Sequence, residues 1–230
     1  MKKLLLLILI SALFFSCSSK KPEKIPRVTV QEIVIQEIEP REIPAPVLIE
    51  EVELWATYYF MPSFTQDKNG VELRDINNKP LGVKLSISDY CSISMEGTGF
   101  IDGKTYNYSG TTRKHKVKCK HRASGYVKFY VTKHPYGVGN KNNPLIPFVS
   151  IACDQSRFKF GQKFFIPSAV GTLLPSGKKH DGNFICGDVG GLIKGNHIDV
   201  FIGGATKNPF KFVTSSKNKT FKAFLDDSAL

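Results

Sequence analysis

The residues best placed to do chemistry lie between Asp181 and Gly203, in the run DGNFICGDVGGLIKGNHIDVFIG. It carries two aspartates, Asp188 and Asp199, on either side of a glycine-rich stretch. Gly187, Gly190, Gly191 and Gly195 let the backbone bend tightly or approach a ligand closely. Beside glycine an aspartate is ordinarily a turn residue, and that reading suits Asp188 taken alone. Asp199 instead sits among Ile198, Val200 and Phe201, in a strand-forming run where aspartate is disfavoured. In a partly apolar cleft its ionised form would lose hydration, and a neighbouring Asp188 carboxylate would penalise ionisation again. Both effects raise the pKa. A carboxyl group kept protonated near neutral pH is a general acid.

To hold that pair, the chain needs strands on both sides of the glycine stretch and partners for them. Composition changes at Leu54, where Trp55 to Phe60 form a β-favouring run, and a domain starts there. A short helix is expected over Ser88 to Glu96, capped by Ser86 or Ser88 and stopped by Gly97. Thr98 to Ile101, an Asp102-Gly103 turn and Lys104 to Tyr108 read as a hairpin. Further strands are expected at Tyr126 to Thr132, Val149 to Cys153, Lys163 to Ile166, Asn183 to Cys186 and Ile198 to Ile202. The pattern is mainly β and barrel-like over 54–204. Residues 205–230, rich in lysine with scattered Phe210, Phe212, Phe221 and Phe224, read as a basic C-terminal extension, packed or loose.

At the other end, Lys2 and Lys3 precede a largely apolar run from Leu4 to Phe15, then Ser16 and Cys17. The run is shorter than the ~20 residues that cross a bilayer and reads as a secretory signal over 1–16. Cys17 resembles the acylated cysteine of bacterial lipoproteins, which implies a lipid anchor in the cell envelope. Ser18, by the same analogy, favours the outer membrane, with the domain facing the periplasm. Residues 17–53, with Pro22, Pro26, Pro40, Pro44 and Pro46, read as a Pro/Glu-rich tether, although the alternation from Val28 to Ile38 also suits a strand.

An exported chain meets an oxidising compartment, so Cys91, Cys119, Cys153 and Cys186 are expected in disulfides. Four cysteines allow three connectivities. Cys91 with Cys119, which bracket a hairpin-like stretch, and Cys153 with Cys186 are favoured; no C-x2-C spacing supports zinc. The formal charge of +12 points to an anionic partner, or to a solubilising surface. The lysines are scattered and no nucleic-acid motif is present, so cell wall or lipid headgroups fit better than nucleic acid. Composition leaves the oligomeric state open.

DVGGLIKGNHIDVFIG, at 188–203, is similar to the signature of the three-aspartate (3D) domain, whose barrel is shared with membrane-bound lytic transglycosylases. IACDQSRFKFGQKFFIP, at Ile151 to Pro167, resembles that family's other signature, and WATYY, at Trp55 to Tyr59, its first barrel strand. Lys159 and Leu192 depart from the pattern. The resemblance implies a double-psi β-barrel carrying an inserted hairpin and short-helix region, from about Phe64 to Pro144. It places the catalytic acid/base on Asp199, with Asp188 and Asp154 in support and no cofactor or metal. Sugar contacts are expected from Thr57, Tyr59, Lys194 and Asn196.

The implied reaction is cleavage of the N-acetylmuramic acid to N-acetylglucosamine bond in peptidoglycan, closing a 1,6-anhydro ring. It departs from the usual glycosidase template of two carboxylates. Two other classes compete. A non-catalytic wall-binding lipoprotein could use the same barrel. A zinc-dependent peptidase could use His180, Asp188 and His197, because two imidazoles and a carboxylate suit zinc, although no H-E-x-x-H helix is present.

Overall fold

The computed structural model describes residues 49–120 and 124–226. The expected signal over 1–16, the lipid-bearing Cys17 and the tether as far as residue 48, including the alternation from Val28 to Ile38, lie outside the described residues. No described helix is long and apolar enough to cross a membrane.

Six strands close into a barrel: β1 (Ile49–Tyr59), β8 (Ser150–Ala152), β9 (Lys163–Phe165), β10 (Asn183–Asp188), β11 (His197–Phe201) and β12 (Phe221–Asp226). Around the wall the order is β1-β11-β8-β10-β9-β12, and β12 pairs back onto β1. The pairs β1–β11 and β8–β10 are parallel, and the other four are antiparallel. Strand alternation fills the interior. Leu54 and Ala56 of β1, Ile151 of β8, Phe164 of β9, Phe184 of β10, Ile198 and Val200 of β11 and Ala223 of β12 are all fully buried. This is the expected mainly β, double-psi class of barrel.

The barrel is longer in sequence than 54–204, which corrects the expected boundaries. β1 begins at Ile49, and its first residue pairs with Asp226 of β12. Residues 205–226 are therefore no appendage: β12 closes the wall, with Ala223 and Leu225 inside. Phe210 and Phe212 pack in the same core, with Phe210 edge-on to Phe184 at 5.5 Å. Surface lysines interleaved with these inward residues hide the strand from a composition reading.

Between β1 and β8 lies the insertion, with a core of its own. It contains β2 (Ser63–Phe64), a hairpin of β3 (Val71–Arg74) and β4 (Pro80–Leu85), and helix α1 (Ile87–Glu96). Then come β5 (Thr98–Ile101), β6 (Lys104–Thr111) and β7 (Val127–Thr132). β2, β5, β6 and β7 form one sheet. Ile93 of α1 is fully buried with Leu73, Leu85, Ile101 and Phe129.

Ser86 caps α1 by accepting the Asp89 N–H at 3.1 Å, and Gly97 ends it in the left-handed region at φ 76°. Each region carries one disulfide, Cys91–Cys119 in the insertion and Cys153–Cys186 in the barrel, the pairing favoured from sequence.

Candidate active site

The parallel register of β1 and β11 sets the site. It aligns Trp55 with His197, Thr57 with Asp199 and Tyr59 with Phe201. Since Leu54, Ala56, Ile198 and Val200 point inward, the six aligned residues share the outer face of the barrel wall. Asp199 is therefore set against strand propensity because its side chain leaves the core and meets Thr57. The Thr57 hydroxyl donates to Asp199 Oδ1 at 2.6 Å, and its oxygen lies 2.9 Å from His197 Nε2. A hydroxyl carries one proton, and here it points to the carboxylate, so the imidazole Nε2–H is the donor to Thr57. Trp55 stacks on that imidazole at 3.5 Å and 9°. Burial lowers the His197 pKa, the Leu192 carbonyl opposes the shift and Lys217 adds to it, which keeps the ring neutral near pH 7.

Asp188 ends β10. Its Oδ2 accepts from the Tyr59 hydroxyl at 2.8 Å and its Oδ1 from the Val189 N–H at 2.8 Å, and the Asn140 N–H also reaches it. Gly139 makes that approach possible: a Cβ there would stand 2.5 Å from the Gly187 carbonyl oxygen and 3.0 Å from the Asp188 side chain. Burial raises the Asp188 pKa against these three hydrogen bonds. Burial also pushes Asp199 up to about 6; the Thr57 hydrogen bond pulls it down and the Asp188 charge adds to the rise. The Tyr59 hydroxyl is held far above its usual range, by burial first and the Asp188 charge second, so it stays a donor.

A third carboxyl group belongs to this cluster and was missed from sequence. Glu96 is the last residue of α1, and its Oε2 accepts the Phe60 N–H, one residue past β1, at 3.2 Å. Burial raises its pKa to about 7, the Phe60 bond opposes this, and the Asp199 charge raises it further. It lies in the insertion, beyond either signature, and a glutamate before a helix-ending glycine looks like an exposed helix end. Its neighbour Gly97 was the available signal, because the stop fixes where the helix delivers residue 96. Glu96 and Asp188 both line a cleft of about 770 Å³, with Asn107, Tyr130, Asn140 and Gly190; Asp199 is not part of its lining and stands behind Asp188.

The other expected site residues separate from this cluster. Asp154 Oδ2 accepts the Gly195 N–H at 2.7 Å, and Oδ1 accepts from the Ser156 hydroxyl at 2.8 Å and the Ser156 N–H at 3.1 Å. These bonds hold its pKa at about 2, the Gly195 bond first. Asp154 thus fastens the glycine-rich stretch leading into β11. Lys194 is exposed and contributes a favourable charge to Asp154. Asn196 gives its amide N–H to the Glu53 carbonyl at 2.6 Å and accepts from Arg157, so both ends are engaged in holding β1 to this stretch.

The three residues weighed as zinc ligands are also dispersed. His180 Nε2 meets the Phe148 carbonyl at 2.7 Å, and its Nδ1 accepts the Gly182 N–H at 2.9 Å. Among the described residues no three His, Cys, Asp or Glu side chains converge as a metal site.

The family model of the 3D domain matches residues 149–209, the segment holding Asp154, Asp188 and Asp199. Among solved structures, the chain is similar to MltA from E. coli with bound chitohexaose. The identity is 16%, the match covers 75% of this chain and 71% of that one, and the TM-score is 0.52. It is also similar to a membrane-bound lytic murein transglycosylase from Agrobacterium tumefaciens, at 15% identity, 74% and 73% coverage and a TM-score of 0.50. At these identities the likeness is one of fold. No curated protein matches the sequence.

Proposed function

We propose that this chain, a 3D-domain barrel with a lytic-transglycosylase-like fold, cleaves peptidoglycan glycan strands non-hydrolytically, with Asp199 as acid and then base. One observation carries the reading: Asp199 is an outward-facing carboxyl group oriented by Thr57, beside Asp188, with its pKa raised to about 6. That value lets it start protonated in mildly acidic medium yet remain a competent base once ionised. Protonated Asp199 gives its proton to the glycosidic oxygen as the C1–O bond breaks and charge develops on the sugar ring. The carboxylate so formed then takes the proton of the muramoyl C6 hydroxyl, whose oxygen bonds to C1. The acid is regenerated, and no water is consumed.

In this reading Thr57 and His197 fix the carboxylate's orientation, and Tyr59 with Asp188 forms the neighbouring wall. Thr57 and Tyr59 present polar groups to the sugar, while Lys194 serves only at the rim. The E. coli neighbour holds a chitohexaose, which supports a glycan in the cleft. The proposal extends to the whole chain: residues 1–16 as a signal, Cys17 as lipid attachment and 17–48 as tether, holding the barrel to the envelope, outer membrane included.

Digestion of purified peptidoglycan with the mature chain, read by mass spectrometry, tests the reaction. Anhydro-muropeptides from the wild type that vanish with Asp199→Asn are expected. Products bearing reducing ends would mean hydrolysis, and glycan binding without cleavage would mean a wall-binding module.

A further inference from the structure

Lys128, the second residue of β7, is 1% exposed; among the described residues no hydrogen bond or ion pair reaches its ammonium, and its remaining exposure opens on a pocket. A buried ammonium without a partner is costly, and proteins ordinarily pair one or replace it by an apolar residue. This one lines a pocket of about 400 Å³ on the insertion, together with Arg74, Lys116, Lys118, Ile87 and Val117. The acid on the same wall, Glu72, is engaged by the Gly82 N–H at 3.0 Å. Burial first and the Arg74 charge second act against the Lys128 ammonium.

The surrounding strap is the most basic part of the chain. Arg113, Lys114, Lys116, Lys118 and Lys120 fall within eight consecutive residues, a local cluster among basic residues otherwise scattered along the chain. The Cys91–Cys119 disulfide ties this strap to α1, beside the pocket.

We propose that this pocket binds a carboxylate carried on a short aliphatic stem, as at the free end of a peptide. Lys128 supplies the point charge at its base, and Arg74, whose Nη1 already donates to the Asn78 carbonyl at 2.9 Å, offers its remaining N–H groups to the carboxylate. Ile87 and Val117 cover the aliphatic part, which a bare inorganic anion lacks. The inference goes beyond glycan cleavage and does not depend on it, because it concerns a second site with its own ligand. In a wall polymer bearing peptide stems, such a site would grip the stem while the barrel engages the sugar.

The test is isothermal titration of the full mature chain with the dipeptide alanyl-glutamate and, separately, with inorganic phosphate. It is done for wild type, Lys128→Met and the peripheral control Lys219→Met. Dipeptide binding by wild type and control, weakened at least tenfold in Lys128→Met, is the expected result. Lys128→Met should fold with an undiminished Tm, since a similar-sized apolar side chain replaces an unpaired buried charge. Absence of dipeptide binding to the wild type, equal binding to Lys128→Met, or binding of phosphate alone would each overturn the proposal. If Lys128→Met fails to fold, Arg74→Gln, whose side chain is half-buried, carries the same comparison. Peptidoglycan digestion is not read in this assay, so its outcome and that of the cleavage reading are separate.

Discussion

The outer wall of the barrel and the basic pocket of the insertion impose the same physical condition, loss of water, on groups of opposite charge. At the wall, burial raises Asp199, Asp188 and Glu96 and so favours their protonated, neutral forms. In the pocket, burial lowers Lys128 and likewise favours the neutral form. The acids are nevertheless supplied with hydrogen-bond donors, one from Thr57 and three around Asp188, whereas the lysine is given none. A desolvated carboxyl surrounded by donors can shuttle a proton; a desolvated ammonium without acceptors waits for an anion.

The largest effect that could break this contrast is at Asp199. Asp199→Asn is expected to reduce anhydro-muropeptide release by about 10²–10⁴-fold with no loss of Tm; full activity in this variant would remove the acid from the mechanism. Next is the pH profile. Cleavage should decline as pH rises through about 6, where Asp199 loses its proton. Thr57→Val deletes a bond that favours the carboxylate, so the declining limb should move to higher pH while the rate falls about tenfold through lost orientation. A limb that stays in place would mean that Thr57 does not control Asp199.

Glu96 offers a subtler measurement. Asp199 ionises at about 6 and Glu96 at about 7, so Glu96 titrates against an Asp199 that is already charged. Its folded pKa lies above the unfolded one. The stabilisation from holding its proton is therefore complete below the unfolded value near 4.5 and is lost as pH rises through about 7. Glu96→Gln should remove that dependence and exceed the wild type by about 1–2 kcal/mol at pH 8 in urea unfolding, after solvent screening is allowed for. An unchanged pH dependence would place Glu96 in water.

The smallest effect on chemistry is expected at Asp154. Its depressed pKa means that its stabilisation holds above the ordinary aspartate range and is lost as pH falls through about 2. Asp154→Asn should lower Tm and increase hydrogen exchange at Gly195 while leaving the Asp199 pKa in place. A shift in the pH–rate limb would instead put Asp154 among the cleft acids.

Much of this was legible because local signals and tertiary structure agree. The α1 boundaries follow from Ser86 and Gly97, the β5–β6 turn from Asp102-Gly103, and the oddity of Asp199 from its apolar neighbours. The β3–β4 hairpin escaped because Pro80 and Gly82 interrupt the alternation that marks strands. β12 escaped because its pairing partner lies at the other end of the domain. The site was half legible: Asp199 and Asp188 stand in the signature, but Glu96 enters through packing of the insertion on the barrel. Asp154 stands in a signature like the other two, but its oxygens are taken up by Gly195 and Ser156 and its pKa is lowered where theirs are raised.

The closing pair of the barrel has a consequence in time. Ile49 of β1 meets Asp226 of β12, so the last seam joins residues separated by almost the whole described chain. Contacts of such sequence separation are slow to form, because the loop entropy is spent before the contact returns it. The wall therefore cannot be completed until the final strand is available, and the core around Phe164 and Phe184 stays open to water until then. The Cys153–Cys186 bridge joins the end of β8 to β10 and is independent of that seam. Formed early, it would fix one parallel pair and leave a shorter search for β12.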